Sequence, residues 1–399
     1  MDVFVWPSTL VPPPSNRFDC AQHVAAKTEC QRYGDWIGHN RLAKARLTRL
    51  AFHWVNAGTI GLNLKELSRV LGLSQTTISR ALNDYPEVNA KTRARVIAAA
   101  RRHGYAPNPQ AQRLATGQSR AIGHVLRLGE QEAVNPIFAE FLAGAGEVYA
   151  DGGYDMLLTV IAETEEVATY RRLATSRAVD AVVLTSPIAG DQRPKSLTEM
   201  GLPFVVHGRV FDGPDHAWLD IRNRAAFADA TERLLAFGHR RIGLINGRGR
   251  YTFAERRENG YRAALTAAGL APEPGYILSG DLTEPVGYDG ARRLLDLAPA
   301  PTAILTSSLT QALGVGRALA ERGMRPGREV SVVTHDDMLS YMPNGTDAPI
   351  FAATTSSIRA AGRRIAEIVI GGLENPDQTP VTELWDVPFR HGPSLAAPQ

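Results

Sequence analysis

Cysteine is nearly missing from this 399-residue chain: Cys20 and Cys30 are the only two, both close to the N-terminus. No disulfide framework can hold the bulk of the chain together, so its stability must come from burial. The two cysteines lie with His23 and His39 in a C-x2-H-x6-C-x8-H pattern, which is no standard zinc spacing, and no metal is expected. No stretch reaches the roughly 18 consecutive apolar residues of a membrane span. The opening MDVFVWPSTLV is apolar but lacks a basic start and runs into Pro12, Pro13 and Pro14; such a segment is a poor export signal, and a cytoplasmic protein is expected. The phosphate loop G-x4-G-K-[ST] and the zinc motif H-E-x-x-H are also missing. The G-x-G of Gly314 and Gly316 falls inside a helical pattern without the third glycine of a dinucleotide fingerprint. Ser, His and Asp are scattered. No cofactor and no catalytic residue is expected, and the chain reads as a non-enzyme.

The length suits a small module joined to a larger one better than a single core. The net charge of +3 conceals an uneven distribution. Residues 62–120 carry ten Lys/Arg against three Asp/Glu, residues 1–61 carry seven against four, and the remainder is net negative by seven. A small basic module on an acidic body points to nucleic acid as the partner of the small module, although a solvated helix surface gives the same count.

Residues 1–61 show no sustained periodicity and are expected to be poorly ordered, apart from a short helix near Arg41–Val55. The pattern sharpens at Leu62, which suggests that translation starts near there. Leu64, Leu67 and Leu71 recur at helical spacing, and Gly72 and Leu73 form a turn. Ser74 is a natural N-cap for a second helix that buries Ile78 and Leu82. Asn89 caps a third helix with Val96, Ile97 and Ala100 inward and Lys91, Arg93, Arg95, Arg101 and Arg102 along its length; Gly104 and Pro107 end it. Three short helices with a glycine turn between the first two describe a helix-turn-helix.

After residue 121 the texture becomes apolar runs alternating with amphipathic helices. Strands are expected at IGHVLRL from Ile122, YDMLLTVI from Tyr154, DAVVLTS from Asp180, FVVHGR from Phe204, RIGLIN from Arg241, AILTSS from Ala303 and VSVVTHD from Val330. That alternation predicts parallel sheets covered on both faces, and the number of strands favours two similar lobes over one sheet.

The segment LGLSQTTISRALN, Leu71–Asn83, is the most informative. A helix that reads the major groove must offer hydrogen-bonding side chains at its N-terminal end while its other face packs inward. Gln75, Thr76 and Arg80 fall on the outer face: Gln can pair with adenine, Arg with guanine, and Thr with bases or the thymine methyl. Thr77 and Ser79 suit phosphates, and Ser74 and Asn83 are further expected DNA-binding residues. In YAPNPQAQRLATGQS, Tyr105–Ser119, about seven residues between Gln110 and Thr116 are too few for a stable isolated helix and could fold on docking. Asn108 and Gln112 would then face DNA and Leu114 could wedge into a minor-groove step, unless the segment is a plain linker.

LSQTTISRALN, NAKTRARV, YAPNPQAQRLATGQS, NPIFAEFLAGAGEVYADGGYDMLL, GHRRIGLINGR and VSVVTHDD together resemble the lactose-repressor/galactose-repressor family, in the expected order, from Leu62 to about Pro393. The resemblance implies a homodimer, a hinge helix ordered on operator DNA, and a two-lobed core like that of periplasmic binding proteins with a ligand cleft between the lobes. It implies effector contacts at Asn135 and Phe138 in the loop 135–138, and at Arg257, Leu282, Ser308 and Asp336. That set suits a sugar: a guanidinium and a carboxylate can each bind vicinal hydroxyls, and Phe138 offers an apolar face. A structural ion pair between Arg257 and Asp336 is the alternative.

The family's Asp-Asn pair is Arg222–Asn223 here, and its Asn-Asp pair is Ser308–Leu309. LNLKELSRVLGLSQTT and SSIRAAGRRIAEIVIGG most resemble the α-glucoside repressors of the family. The implied division is an extension over residues 1–61, a helix-turn-helix domain over 62–107, a hinge over 108–120 and a two-lobed domain over 121–395. A transporter's solute-binding protein is the rival from another class, but it requires an export signal and no DNA reader. A sugar-handling enzyme with an added DNA-binding domain is a second rival, which turnover of candidate sugars would reveal.

Overall fold

The computed structural model describes residues 62–82, 85–105, 117–127, 136–162, 165–210 and 215–399. The chain divides into two units, Met1–Asn108 and Pro109–Gln399. Of the expected features, the extension over residues 1–61, the helix near Arg41–Val55, and the residues Asn83, Asn108, Gln112, Leu114 and Asn135 lie outside the described residues.

In the first unit, helix α1 (Leu64–Leu71) opens with a reciprocal cap. Asn63 Oδ1 accepts from the Glu66 N–H at 3.0 Å, Glu66 Oε2 accepts from the Asn63 N–H at 2.9 Å, and Gly72 closes the helix with φ 62°. Helix α2 (Gln75–Leu82) starts where Ser74 Oγ accepts from the Thr77 N–H at 3.0 Å. Helix α3 (Ala90–Arg102) starts at Asn89, whose side chain accepts from the Thr92 N–H at 2.8 Å. Leu67, Ile78, Ala81, Val88, Val96 and Ala100 form the core. Ile97, expected inward, is only half-buried, and Ala99 packs against the core instead. Two arginines of α3 brace the unit: Arg95 donates to the Leu71 carbonyl at the end of α1, and Arg93 to the Tyr85 carbonyl at 2.7 Å.

Among the described residues, the second unit holds two six-stranded sheets. Lobe 1 uses β1 (Ala121–Arg127), β2 (Asp155–Ile161), β3 (Ala181–Leu184), β4 (Phe204–His207), β5 (Ala217–Ile221) and β11 (Thr382–Trp385), in the order β11-β5-β4-β3-β1-β2, all parallel. Lobe 2 uses β6 (Ile242–Asn246), β7 (Ile277–Ser279), β8 (Ala303–Thr306), β9 (Ser331–Asp336), β10 (Ala352–Thr355) and β12 (Phe389–Arg390), in the order β12-β10-β9-β8-β6-β7, with only β12 antiparallel. The seven strands expected from the sequence are all present. Strands β5, β7, β10, β11 and β12 have five residues or fewer and no comparable apolar run, which is why the periodicity passed over them.

Helices cover both faces. In lobe 1, α4 (Pro136–Asp151) and α11 (Ile358–Glu374) share one core with Val183, while α5 (Glu166–Thr175) and α6 (Arg193–Glu199) share the other with Val182. Adjacent strand residues thus serve opposite faces. In lobe 2, α7 (Asn223–Ala236) and α8 (Thr252–Ala267) lie on one face, α9 (Glu284–Leu295) and α10 (Leu309–Glu321) on the other. The chain crosses between lobes three times, after β5, after β10 and after β11. At these crossings the Arg222 N–H donates to Trp385 O at 3.0 Å and the Thr355 N–H to Pro388 O at 2.8 Å. The entry to β1 is pinned as well: Asp180 accepts from the N–H groups of Ser119 and Arg120 at 2.6 and 2.8 Å and from Ser119 Oγ at 3.0 Å.

Paired glycines let helices touch backbone to backbone. A Cβ on Gly144 would strike the Arg359 carbonyl and one on Gly362 the Phe141 carbonyl, so α4 and α11 interlock. Gly314 plays the same part between α10 and the Glu284 carbonyl of α9, so it serves helix packing. Gly144→Ala should destabilise the second unit by about 1–3 kcal/mol through overpacking against backbone that cannot yield. Calorimetry on the full chain checks this, and an unchanged melting temperature would contradict it.

Candidate functional site

The outer face of α2 carries Gln75, Thr76 and Arg80, all exposed, at the positions the sequence suggested. Ser74 is exposed, Thr77 and Ser79 are half-buried, and the Thr77 hydroxyl is 2.8 Å from Ser74 Oγ, so it is engaged in the helix cap. Ile78 and Ala81 on the opposite face are buried, which fixes the rotation of the helix and leaves the three polar side chains outward. Of the basic residues of α3, Arg93 and Arg95 are tied to backbone carbonyls, while Lys91, Arg101 and Arg102 are exposed.

Between the two lobes lies a cavity with about 980 Å³ of empty space, partly open to solvent. Its wall comes from the residues that follow the carboxyl ends of the strands: Thr185 and Ser186 after β3, His207 and Gly208 at β4, Asp220 and Ile221 at β5, Leu282 after β7, Asp337 after β9 and Ser356 after β10. The carboxyl edge of a parallel sheet is where open α/β folds place ligands, because side chains there project from loops while the helices cover the faces. Phe138 and Phe141 from α4 and Phe253 from α8 add aromatic faces; Phe141 stacks on His207 with ring centres 4.8 Å apart.

Arg257 is the central charge. Its Nε donates to Asn223 Oδ1 at 2.7 Å, its Nη1 donates to Ser307 O at 2.6 Å, and the guanidinium lies 5.0 Å from the ring centres of both Phe227 and Phe253. Burial lowers its pKa to about 10, so it stays protonated at neutral pH. Asp337 is also in the wall, and burial raises its pKa to about 7 against the pull of Arg257. His207 is held neutral by burial, its pKa lowered to about 4.

Asp220 bridges the lobes. Its Oδ2 accepts from Arg209 Nε at 2.9 Å and from Arg256 Nη1 of lobe 2 at 3.0 Å, and its Oδ1 accepts from the Ile221 N–H at 2.8 Å and Asn223 Nδ2 at 3.1 Å. A second bridge joins the Thr252 N–H to Pro187 O at 2.9 Å, beside the Ile188–Tyr251 pairing. The loop bearing Ser186, which has φ 51°, is held by Arg193, whose Nη2 donates to Thr185 O and Ser186 O at 3.1 and 3.3 Å. Arg193 is itself buried against Glu166 and Asp191, so a compact ion cluster supports a backbone conformation that is otherwise disfavoured.

Of the effector positions implied by resemblance, Phe138, Arg257 and Leu282 line this cavity, and Ser308 and Asp336 do not. Ser308 is fully buried and caps α10, its Oγ accepting from the Gln311 N–H at 3.2 Å. Asp336 Oδ1 accepts from the Met338 N–H at 2.9 Å and so fixes the turn; the next residue, on the other side of the backbone, is the carboxylate that faces the cavity. The Arg222–Asn223 departure has a structural account. Arg222 pairs with Asp386 at 2.7 Å across two crossings, and Asn223 joins Asp220 to Arg257. Sequence reading missed Asp220, Thr252, Phe253 and Asp337. The available signal was the end of the short strand AWLDI and the second acid of the THDD run.

Residues 63–108 match the family described as bacterial regulatory proteins, lacI family, and residues 119–389 match periplasmic binding proteins and sugar binding domain of LacI family. The HTH-type transcriptional regulator AglR of Rhizobium meliloti (strain 1021) is 44% identical over 325 residues, which is 81% of this chain and 91% of that protein. The HTH-type transcriptional regulator RafR of Escherichia coli is 32% identical over 338 residues, 84% of this chain and 99% of that protein. A solved structure, the transcriptional regulator CelR–cellobiose complex, is similar over 84% of this chain and 99% of its own, with a TM-score of 0.62 and 26% identity. A capped helix-turn-helix with a polar outer face, followed by two parallel-sheet lobes around a cavity, thus coincides with both family matches, and the chain belongs to the LacI family of DNA-binding transcriptional regulators.

Proposed function

We propose that the chain is a cytoplasmic repressor that grips a pseudo-palindromic operator as a homodimer and changes that grip when a saccharide fills the inter-lobe cavity. The observation that carries the reading is the cavity wall: one buried guanidinium, carboxylates and aromatic faces gathered at the carboxyl ends of both sheets, in a chain that also bears an outward Gln-Thr-Arg surface. Gln75 and Arg80 pair with adenine and guanine edges, Thr76 contacts a base or a thymine methyl, and Ser74, Thr77, Ser79, Asn83, Asn108 and Gln112 hold the backbone. Leu114 opens a central minor-groove step. In the cavity, vicinal hydroxyls bind the remaining N–H groups of Arg257 and the carboxylate of Asp337, while Phe138 and Phe253 pack on the apolar faces of the rings. The cellobiose bound by the similar CelR structure supports a disaccharide, and the sequence resemblance favours an α-glucoside.

The saccharide must bind one lobe arrangement better than the other, and a coupling of about 1–3 kcal/mol alters operator affinity by about 5- to 150-fold. Arg80→Ala should cost about 1–3 kcal/mol of operator affinity and relax preference at a single base pair, read by anisotropy titration against a set of operator variants; equal loss at every variant contradicts a base-reading role. Arg257→Gln keeps a donor toward Ser307 and should retain operator binding while losing the response to saccharide. A variant that still responds removes Arg257 from the site.

Asp337 gives the pH dependence a definite sign. Folded, it holds its proton up to about pH 7, whereas its ordinary value is 3.8; between these limits the folded state binds more protons than the unfolded one, so stability falls as pH rises. Relative to Asp337→Asn, the wild type should lose melting temperature from pH 5 to pH 8 without saccharide, and parallel curves would contradict the assignment.

A further inference from the structure

We propose, resting on the saccharide reading above, that Glu140 and Ser340 form an inter-lobe clasp that positions the Asp337 carboxylate for the effector. Both are positioning residues: neither lines the cavity, and each acts through the chain that carries Asp337. Asp337 needs support from outside its own side chain. Its carboxylate lies in the cavity wall, yet among the described residues no other side chain hydrogen-bonds it, and its paired neighbour is His335 Nε2 at 3.6 Å. Such a group takes its position from the backbone on either side.

On the N-terminal side that backbone is β9, paired with both β8 and β10. On the C-terminal side the strand ends and the chain turns through Met338, a non-glycine residue with φ 55°, a conformation that persists only where its surroundings over-determine it. Three contacts do so: Asp336 Oδ1 accepts from the Met338 N–H at 2.9 Å, the Leu339 side chain is buried, and Ser340 reaches Glu140. The third leaves the lobe. Glu140 Oε2 accepts from the Ser340 hydroxyl at 2.7 Å and from the Ser340 N–H at 3.2 Å, so a segment that begins and ends in lobe 2, between β9 and β10, is tied to α4 of lobe 1.

The receiving carboxylate is itself held. Glu140 is buried, its Oε1 accepts from Arg359 Nη1 of α11 at 2.8 Å, and Arg359 Nε also donates to Glu147 Oε1 of α4 at 3.1 Å. A buried carboxylate that accepts charge-assisted bonds on both oxygens is costly to leave unpaired, so it keeps its donors. The contacts close a circuit. The Ile358 N–H donates to Asp337 O at 3.1 Å, the next residue, Arg359, holds Glu140, Glu140 holds Ser340, and three peptide bonds lead from Ser340 back to Asp337. Because α4 also supplies Phe138 and Phe141 to the wall, the circuit sets a carboxylate of lobe 2 in register with the aromatic faces of lobe 1. A binding group is effective only when a supporting shell fixes it in this way.

The test is a double-mutant cycle on the full-length chain by isothermal titration. The probe is a sugar that raises the melting temperature of the wild type in a screen of mono- and disaccharides, including maltose, sucrose, trehalose and cellobiose. Ser340→Ala removes the 2.7 Å bond at an exposed position and leaves Asp337, Arg257 and the aromatic wall unaltered in sequence. The expected result is binding weakened about 5-fold or more, a factor that shrinks below about 2-fold when Asp337 is already Asn, with Ser340→Thr, which keeps the hydroxyl, close to wild type. A merely structural role lowers affinity by the same factor in both backgrounds. Where Asp337→Asn binds too weakly to titrate, Ser340→Ala against Ser340→Thr decides. Wild-type affinity in Ser340→Ala, an equal loss in both backgrounds, or an equal loss in Ser340→Thr overturns the inference and leaves the saccharide reading standing. A wild type that binds no sugar of the screen overturns the saccharide reading itself, and the inference with it.

Discussion

A guanidinium enclosed between two lobes has to be satisfied from every side, and the architecture of the cleft follows from how Arg257 is satisfied. Its hydrogen bonds to Asn223 and Ser307 bind the starts of α7 and α10 to one point, and the faces of Phe227 and Phe253 close above and below it. The desolvated charge is tolerated because that frame satisfies it. Asp337 is the counterpart: its carboxylate shares the cavity with Arg257 and is raised toward neutrality by burial.

The same frame reaches the first crossing between the lobes. Asn223 accepts from Arg257 with one atom and donates to Asp220 with another, and Asp220 takes Arg256 of the opposite lobe. The lobes are therefore joined by polar contacts, Arg256 to Asp220 and Thr252 to Pro187. Linkage requires two lobe arrangements with different contacts, one favoured by the ligand.

Much of this was legible in the sequence, for physical reasons that differ by element. Ser74 and Asn89 announce helix starts because capping needs a short polar side chain at one position, and both cap as their residue types suggest. The longest apolar strands, such as β1 and β9, are continuous because both faces are covered. Strands such as β5 (AWLDI) and β10 (AATT) break or lack the apolar run that marks equally short strands such as β3 (AVVL). In the site, Phe138, Arg257 and Leu282 were legible through family resemblance, yet Asp336 and Asp337 are adjacent acids whose sidedness is decided by a turn that no pattern of single residues encodes. Thr252 and Asp220 were invisible for a related reason: each matters through a partner on the other lobe, more than 30 residues away for Asp220 and Arg256.

The central claim is that cavity and DNA-reading helix are thermodynamically linked, and linkage is reciprocal for binding free energies. The most direct measurement is calorimetric titration of a binding saccharide into the full-length protein, free and saturated with its operator duplex, beside operator titrations with and without saccharide. The account predicts that the factor by which operator changes saccharide affinity equals the factor by which saccharide changes operator affinity, at about 5-fold or more. Saccharide affinity that is the same on free and operator-bound protein would contradict it.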